Sequence, residues 1–310
     1  MSRISVGICA YNEQQNIGRL LRNLLTQQKL QKDSEIIVVC SGCTDSTAQI
    51  VTDFTKKDSR VKLIEEGERL GKSSAINKIL ENYTGEFIFL IPSDVIPAKA
   101  AIALMTRKME EDSRIGVMGG SPIPTNNADG YSGYLSHLMW RIHNKTLGYL
   151  DDLKLNNHAS GEFMVLRHGI VNKLPLDVVN DDAYIAVSAS SKGCIVKYCD
   201  EAKVYIKAPE NIADYIRQRR RVVYGHFRVK QITKKYPQTV ENMLFSKPQK
   251  SLHVLEQEMS ERPKESLKLF VAIFIEALVN ILAISDLILR KKHTVWAVSK
   301  STKTVNEIWK

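Results

Sequence analysis

Asp94 follows an unbroken apolar run, Phe87-Ile88-Phe89-Leu90-Ile91, after Pro92 and Ser93, and stands just before Val95-Ile96-Pro97. A carboxylate at the carboxyl end of a buried strand can hold a hard divalent cation, Mg²⁺ or Mn²⁺, which completes its shell with phosphate oxygens and water. It can equally cap a following helix. Gly71-Lys72-Ser73-Ser74 puts a glycine and a cation at a helix start, where backbone N–H groups and the helix dipole suit a phosphate. This is not a P-loop, because the G-x-x-x-x-G-K-[ST] pattern is absent. Asp181-Asp182 opens another helix. Adjacent carboxylates there act as caps or, functionally, as a general base that takes a proton from a hydroxyl. Gln218-Arg219-Arg220-Arg221 lies in a basic stretch running from Arg217 to Lys235. Successive arginines point in different directions around a helix, so one solvated stripe explains them poorly, and arginine suits bidentate phosphate binding.

The elements that must carry these residues follow from hydrophobic periodicity. Apolar, β-rich runs occur at Ile4–Ala10, Glu35–Cys40, Val61–Ile64, Glu86–Ile91 and Ile115–Met118. Between them lie amphipathic stretches at Asn16–Thr26, Asp45–Lys57, Lys72–Tyr83 and Ala98–Glu111. Strand–helix alternation with short links predicts right-handed βαβ units in a mostly parallel central sheet flanked by helices. Ligands of such sheets bind beyond the carboxyl ends of the strands. Ala10-Tyr11-Asn12-Glu13, Ser41-Gly42-Cys43-Thr44-Asp45 and Pro92-Ser93-Asp94 each follow directly on a strand, so they are expected on one rim. Beyond residue 120 the pattern loosens: a helix at Tyr131–Leu150, a strand at Gly161–Arg167 and a helix from Ile212 to about Lys235 are expected.

With 310 residues, 44% hydrophobic and 25% charged, the chain is long enough for a large core and is not disordered or collagen-like. A net charge of +10 points to an anionic partner. Met1-Ser2-Arg3 runs straight into an apolar strand without a signal-peptide pattern, and the five cysteines show no disulfide-scaffold spacing, so a reducing, cytoplasmic setting is expected. Cys40-Ser41-Gly42-Cys43 is a lone CxxC, read as incidental thiols because zinc sites normally need a second pair or paired histidines.

Taken in order, these segments resemble family 2 glycosyltransferases of the GT-A fold over roughly residues 3 to 226. Val6 to Glu13 resembles the family's first strand and its Tyr-Asn-Glu turn; Ser41 to Thr47 its Asp-Asp-Gly-Ser-Thr-Asp loop; Gly71 to Asn77 its Gly-Lys-x-x-Ala-x-Asn helix start. Ser93-Asp94 with Pro97 resembles the metal-binding Asp-x-Asp, Ser160-Gly161-Glu162 the acceptor-side strand, Asp181-Asp182 the pair holding the base, and Gln218 to Arg221 the Gln-x-x-Arg-Trp motif. The resemblance implies an inverting transfer from a UDP- or GDP-sugar to a hydroxyl of a glycan or lipid-linked acceptor. It places the donor at Ala10, Tyr11, Glu13, Ser41, Asp45, Lys72, Ser93 and Asp94, with Mg²⁺ or Mn²⁺ on Asp94. The diphosphate or acceptor falls to Gly161, Glu162, Gln218, Arg219, Arg220 and Arg221. Asp182, with Asp181 beside it, carries the base. Departures are the serine and cysteine replacing the second-loop aspartates, Pro92 in place of the first Asp of Asp-x-Asp, and Val222 in place of the tryptophan.

These readings divide the chain into a catalytic domain at 1–235, with a nucleotide-sugar half to about residue 120 and an acceptor half after it, and a helical extension at 236–310. Within the extension, Leu267–Leu289 is long enough to cross a bilayer but carries Lys268, Glu276, Asn280 and Asp286. A single span would place Arg290, Lys291, Lys292 and the later lysines on the side opposite the catalytic domain, against the positive-inside tendency. A helix lying in the membrane surface through 267–292, with Trp296 in a basic flank, fits better, on the cytoplasmic face of the membrane. The alternative is a core or oligomer-contact helix. Two other readings are weaker. A nucleotidyltransferase would normally show a Gly-rich loop after the first strand, and a nucleic-acid- or anionic-lipid-binding protein leaves the strand-end residues unexplained. No nucleic-acid partner is therefore expected.

Overall fold

Strand β2 shows how the core is built. Ile36 and Val38 point to one face of the sheet and Ile37 and Val39 to the other, and all four are fully buried. A strand covered on both sides reads as a continuous apolar run, which is what the sequence has at each parallel strand. The protein is described by a computed structural model covering residues 2–291. Lys292, Trp296, Lys300, Lys303 and Lys310, assigned above to the basic flank, lie outside the described residues.

Eight strands, β1 (Ile4–Ala10), β2 (Glu35–Ser41), β3 (Val61–Glu66), β4 (Phe87–Pro92), β5 (Ile96–Pro97), β6 (Ile115–Pro124), β7 (Met164–Arg167) and β8 (Ile195–Ile206), form one sheet. Their order is β3-β2-β1-β4-β7-β6-β8-β5. The first four are parallel, β7 runs antiparallel to both its neighbours, and β6 and β8 are again parallel. Helices α1 (Ile17–Gln27), α2 (Thr47–Thr55) and α4 (Ala101–Glu111) cover one face. Helices α3 (Lys72–Asn82) and α6 (Asp181–Ser191) cover the other. In α1, Ile17, Leu20, Leu21 and Leu24 recur at helical spacing and are wholly buried; truncating one to alanine costs about 2–5 kcal/mol.

Five further helices complete the body. They comprise α5 (Gly130–Asp152), α7 (Ile212–Thr233), α8 (Val240–Ser246), α9 (Pro248–Glu261) and α10 (Ser266–Ile288). The expected strand at 161–167 begins only at Met164, because Ser160-Gly161-Glu162 forms a turn that leaves the sheet. The strand expected at Ile115–Met118 continues to Pro124, paired along its length with β8. Helices α8 and α9 occupy what reads as a polar interval. Glu258 of α9 is buried and takes Arg141 and Lys145 of α5 at 2.7 Å each, which locks the extension onto α5.

Helix α10 packs along α7 through Val279, Ala283 and the carboxylates Glu276 and Asp286. The two carboxylates that make this segment costly in hydrocarbon therefore face protein: Glu276 meets Arg219 at 3.0 Å and Asp286 meets Arg220 at 2.5 Å, whereas Lys268 near the helix start is exposed. Leu267, Phe270, Phe274 and Leu278 face outward and are exposed, so α10 is not a core helix.

Candidate active site

The carboxyl ends of β1, β2 and β4 converge on one cavity of about 940 Å³. Each loop is tied down by its own polar residues. Asn12 adopts a left-handed backbone, φ 53°, a conformation asparagine tolerates, and its side chain accepts from the Thr44 N–H at 2.8 Å. Glu13 accepts from the Asn16 side chain at 2.8 Å, and its N–H donates to Thr47 Oγ1 at 2.7 Å. Gly42, at φ +62°, lies so close to Arg69 that a Cβ would come within 2.6 Å of its backbone nitrogen; no other residue fits there without a shift.

Ala10, Tyr11, Glu13, Ser41, Lys72, Ser93 and Asp94 all line the cavity, as the rim argument expects. Asp45 does not. Its carboxylate accepts from the Thr47 N–H at 2.9 Å and the Gln14 N–H at 3.2 Å, bracing the two loops against each other.

The loop before β7 and the start of α6 close the cavity from the opposite wall. Gly161, Glu162, Asp181 and Asp182 line it. Asp182 accepts from the Gly161 N–H at 3.0 Å and the Ala183 N–H at 2.8 Å, which fixes its carboxylate. Burial pushes the Asp182 carboxyl above its ordinary range, and Lys72 pulls the other way. Glu162 is pushed up to about 7 by burial and by the negative charge of Asp94. The starts of α3 and α6 are joined directly, since Lys72 Nζ lies 3.0 Å from Asp181 Oδ2. Asn77, at the end of the Gly-Lys segment, brackets Leu174 by donating to its carbonyl at 2.9 Å and accepting from its N–H at 2.7 Å. That clamp holds the chain leading into α6. Gly225 of α7 leaves room for Asn180, whose side chain donates to the Val222 carbonyl at 2.9 Å.

The three arginines separate as helical geometry demands. Arg221 turns toward Glu162, Asp181 and Asp182, and burial lowers its pKa to about 10. Arg219 borders the cavity but is held by Glu241 and Glu276. Arg220 points away from the cavity, to Asp286, because both its guanidinium bonds go to that buried carboxylate. Its expected place at the diphosphate is therefore corrected: of the three, Arg221 is the cation presented to the carboxylate cluster. Two further arginines of the basic helix are matched by carboxylates, Arg217 by Asp214 and Arg228 by Asp177 at 2.6 Å each. Gln218 also lines the cavity.

Sequence reasoning misses two groups. Arg69 lies over the Tyr11 ring, 3.9 Å from its centroid, and lines the cavity beside the ends of β1 and β2. His143, His158 and His226 come from α5, the 153–163 connection and α7 and meet edge to face, with centroids 5.7 and 5.6 Å apart. Nothing in their spacing along the chain announces that meeting.

Asp94 and Glu162 together fit a divalent cation that finishes its shell on phosphate. The negative charge of Asp94 already pushes Glu162 up, and a cation between them relieves that repulsion. Among the described residues no cluster of three or more metal-ligating side chains occurs, so a cage made wholly of protein ligands is not what the site offers.

The doubly covered sheet, its loaded carboxyl rim and the opposing carboxylates define a glycosyltransferase of the GT-A type. The chain belongs to glycosyl transferase family 2, whose model matches residues 5–174. It is 23% identical over 229 residues to the poly-beta-1,6-N-acetyl-D-glucosamine synthase of Staphylococcus epidermidis, covering 72% of this chain and 54% of that protein. The synthase of the same name from Staphylococcus aureus is 22% identical over 225 residues, 70% of this chain and 53% of its own. The chain thus spans about half the length of these curated relatives. Among solved structures, the mannosyltransferase PcManGT from Pyrobaculum calidifontis, in complex with GDP-Man and Mn²⁺, shares the fold with a TM-score of 0.65 at 20% identity. That match covers 94% of this chain and 88% of the other. Staphylococcus aureus TarS aligns with a TM-score of 0.51 at 18% identity, over 71% of this chain and 39% of its own.

Proposed function

We infer that the protein transfers a hexosyl or N-acetylhexosaminyl group, with inversion, from a UDP- or GDP-sugar to a hydroxyl of a glycan or lipid-linked acceptor. The observation that carries this reading is Asp182. Its carboxylate is fixed by two backbone N–H groups on the wall facing the nucleotide rim, in the same cavity as Asp94. In this role Asp182 takes the proton of the attacking hydroxyl as the sugar–phosphate bond breaks. Lys72 and Arg221 face the charge that builds on the departing diphosphate, in a buried setting where such charges act strongly. Asp94, with Glu162 beside it, would hold Mg²⁺ or Mn²⁺, which supplies Lewis-acid neutralisation of that leaving group. Tyr11 under Arg69 forms a flat platform suited to the nucleoside.

The outward apolar stripe of α10 supports placement on a membrane surface, in the plane rather than across it, with the catalytic body on the cytoplasmic side. The two relatives named poly-beta-1,6-N-acetyl-D-glucosamine synthase support a cell-envelope saccharide as the product class.

The test is incubation of the purified chain with UDP-glucose, UDP-galactose, UDP-N-acetylglucosamine and GDP-mannose in turn, each with Mn²⁺ or Mg²⁺ and with a panel of methyl and octyl glycosides that supply the acceptor hydroxyl. Release of free UDP or GDP is the expected result. Formation of UTP or GTP and sugar 1-phosphate when pyrophosphate is added instead of an acceptor would make it a nucleotidyltransferase, and no nucleotide release from any donor would remove the reading.

A further inference from the structure

Helix α10 presents three distinct stripes. Val279, Ala283 and Asp286 face α7. Leu267, Phe270, Phe274 and Leu278 face outward. The third stripe, Ile273, Ala277, Ile281 and Ile284, borders the same cavity that holds Asp182, and these residues remain solvent-exposed. The cavity therefore has a mouth walled by aliphatic side chains, at the base of the helix's outward apolar face. Leu138 and Ile142 of α5 continue that lining inward.

Further in, the lining changes character. His158 is 4% exposed, yet its Nδ1 has no hydrogen-bond partner; the same holds for the buried atoms His143 Nε2, Thr146 Oγ1, Gln218 Oε1 and Gln238 Oε1. All five residues line the cavity. Buried polar atoms of this kind are costly unless matched. The histidines are also neutral at physiological pH: burial lowers His158 to about 4 and pushes His143 and His226 well down. Each ring thus offers one donor and one acceptor, as the glutamine and threonine groups do. A chamber of neutral donors and acceptors matches hydroxyl groups and does not favour an anion.

We propose that the acceptor is a glycolipid-like amphiphile, whose sugar head group occupies the chamber floored by His143, His158 and Gln218 while its apolar chain leaves along Ile273, Ala277, Ile281 and Ile284. This rests on the transferase reading above and specifies its acceptor. It also gives α10 a second use: the stripe next to the chain exit is the one that faces outward, so a lipid can pass from a membrane surface to Asp182 without its chain crossing water.

Isothermal titration of the full chain, saturated with Mn²⁺ and the nucleoside diphosphate it binds, tests this with methyl and octyl glycosides of glucose, galactose, mannose and N-acetylglucosamine. For at least one head group the octyl form should bind about ten-fold or more tightly than the methyl form, as burial of several methylenes predicts. Ala277→Trp, which narrows the mouth at an exposed position, should bring the two forms to within about two-fold, since the chain loses its buried path. Phe274→Asp, on the outward stripe, should retain the gap. Equal affinities for every head group, no binding of either form, or a gap lost in Phe274→Asp and kept in Ala277→Trp would each overturn the proposal. A melting shift with UDP or GDP and Mn²⁺, measured on the same preparations, separates the failures. With that shift intact only the acceptor class falls; without it the transferase reading falls as well.

Discussion

Lys72 and Asp181 meet as an ion pair 3.0 Å apart, with the Asp181 side chain almost wholly buried, at the point where α3 and α6 begin. Burial alone would lower the Lys72 pKa, but Asp181 and Asp182 together hold it above its ordinary value. Asp181 is pulled in opposite directions, upward by burial and downward by Lys72, with the net shift upward. The pair staples the start of α3 to the start of α6, next to Asp182.

A double-mutant cycle makes that relationship measurable. Lys72→Ala and Asp181→Asn should each lower unfolding free energy by about 3 kcal/mol, because each leaves a buried charge or polar group without its match. The double variant should cost clearly less than the sum of the two. Strictly additive losses in urea denaturation would show that the two residues act independently.

Asp182→Asn and Asp94→Asn should each reduce sugar transfer by about 100-fold or more, while the melting temperature stays near that of the parent chain. The two losses should differ in kind. Asp94→Asn should weaken the Mn²⁺-dependent melting shift seen with nucleotide, and Asp182→Asn should leave it intact. Parent-like turnover by Asp182→Asn would remove it as the base.

The first 120 or so residues were legible because their signals are local. An apolar run followed by a turn fixes a strand end, and helical spacing fixes the helix behind it, so Tyr11, Ser41 and Asp94 could be placed on one rim from the sequence alone. Strand β8 was not legible: Lys197, Asp200, Glu201 and Lys203 break its apolar pattern, and it exists because β6 pairs with it from more than seventy residues away. Helix α9 hides for a related reason. Its buried face is Ser251, Val254 and Glu258, and a glutamate reads as buried only once Arg141 and Lys145 are known to meet it. Helical geometry required the three arginines of α7 to diverge, but which of them turns to the cavity depends on where α10 puts Glu276 and Asp286.

Glu35 sits at the base of the sheet and accepts from Ser5 Oγ at 2.6 Å, the Thr84 N–H at 2.7 Å and Lys62 at 2.6 Å. Burial works to raise its pKa, but the hydrogen bonds from Lys62, Ser5 and Thr84 prevail and hold it down at about 2. A carboxyl depressed in the folded state adds stability that is full above its unfolded value and is lost as pH falls toward the folded one. Stability should therefore decline between about pH 4.5 and pH 2 through this group. Glu35→Gln should cost about 2 kcal/mol at neutral pH and flatten that acid limb, as read by denaturation at several pH values.

Cys43 lies at the nucleotide rim, and a hydrogen bond from Cys40 lowers its thiol pKa to about 7. Cys9 is pushed up to about 12 by burial. Iodoacetamide at pH 7.5 should accordingly label Cys43 well ahead of Cys9 and Cys40, with peptide mass spectrometry as the readout. UDP or GDP with Mn²⁺ should slow that labelling, since Cys43 shares its loop with Ser41. Labelling that ignores every nucleotide would place the base elsewhere.

Asp286 is 0% exposed and receives two bonds of 2.5 Å from Arg220, with Lys291 a further 3.2 Å away. Together with Glu276 on Arg219 it turns the charges of α10 toward α7, leaving the opposite side apolar. Asp286→Ala strands Arg220 in a part-buried site, a loss of about 3 kcal/mol that falls on the docking of α10 more than on the sheet. Trypsin should then cut at Lys264 or Lys268 many times faster than in the parent chain, while a core fragment carrying the sheet persists. If the proposed in-plane placement holds, alkaline carbonate should release the parent chain from cell membranes, because a helix docked along α7 does not span the bilayer. Retention in the carbonate pellet would mean that α10 leaves α7 and crosses the bilayer, with Arg219 and Arg220 freed from their present partners.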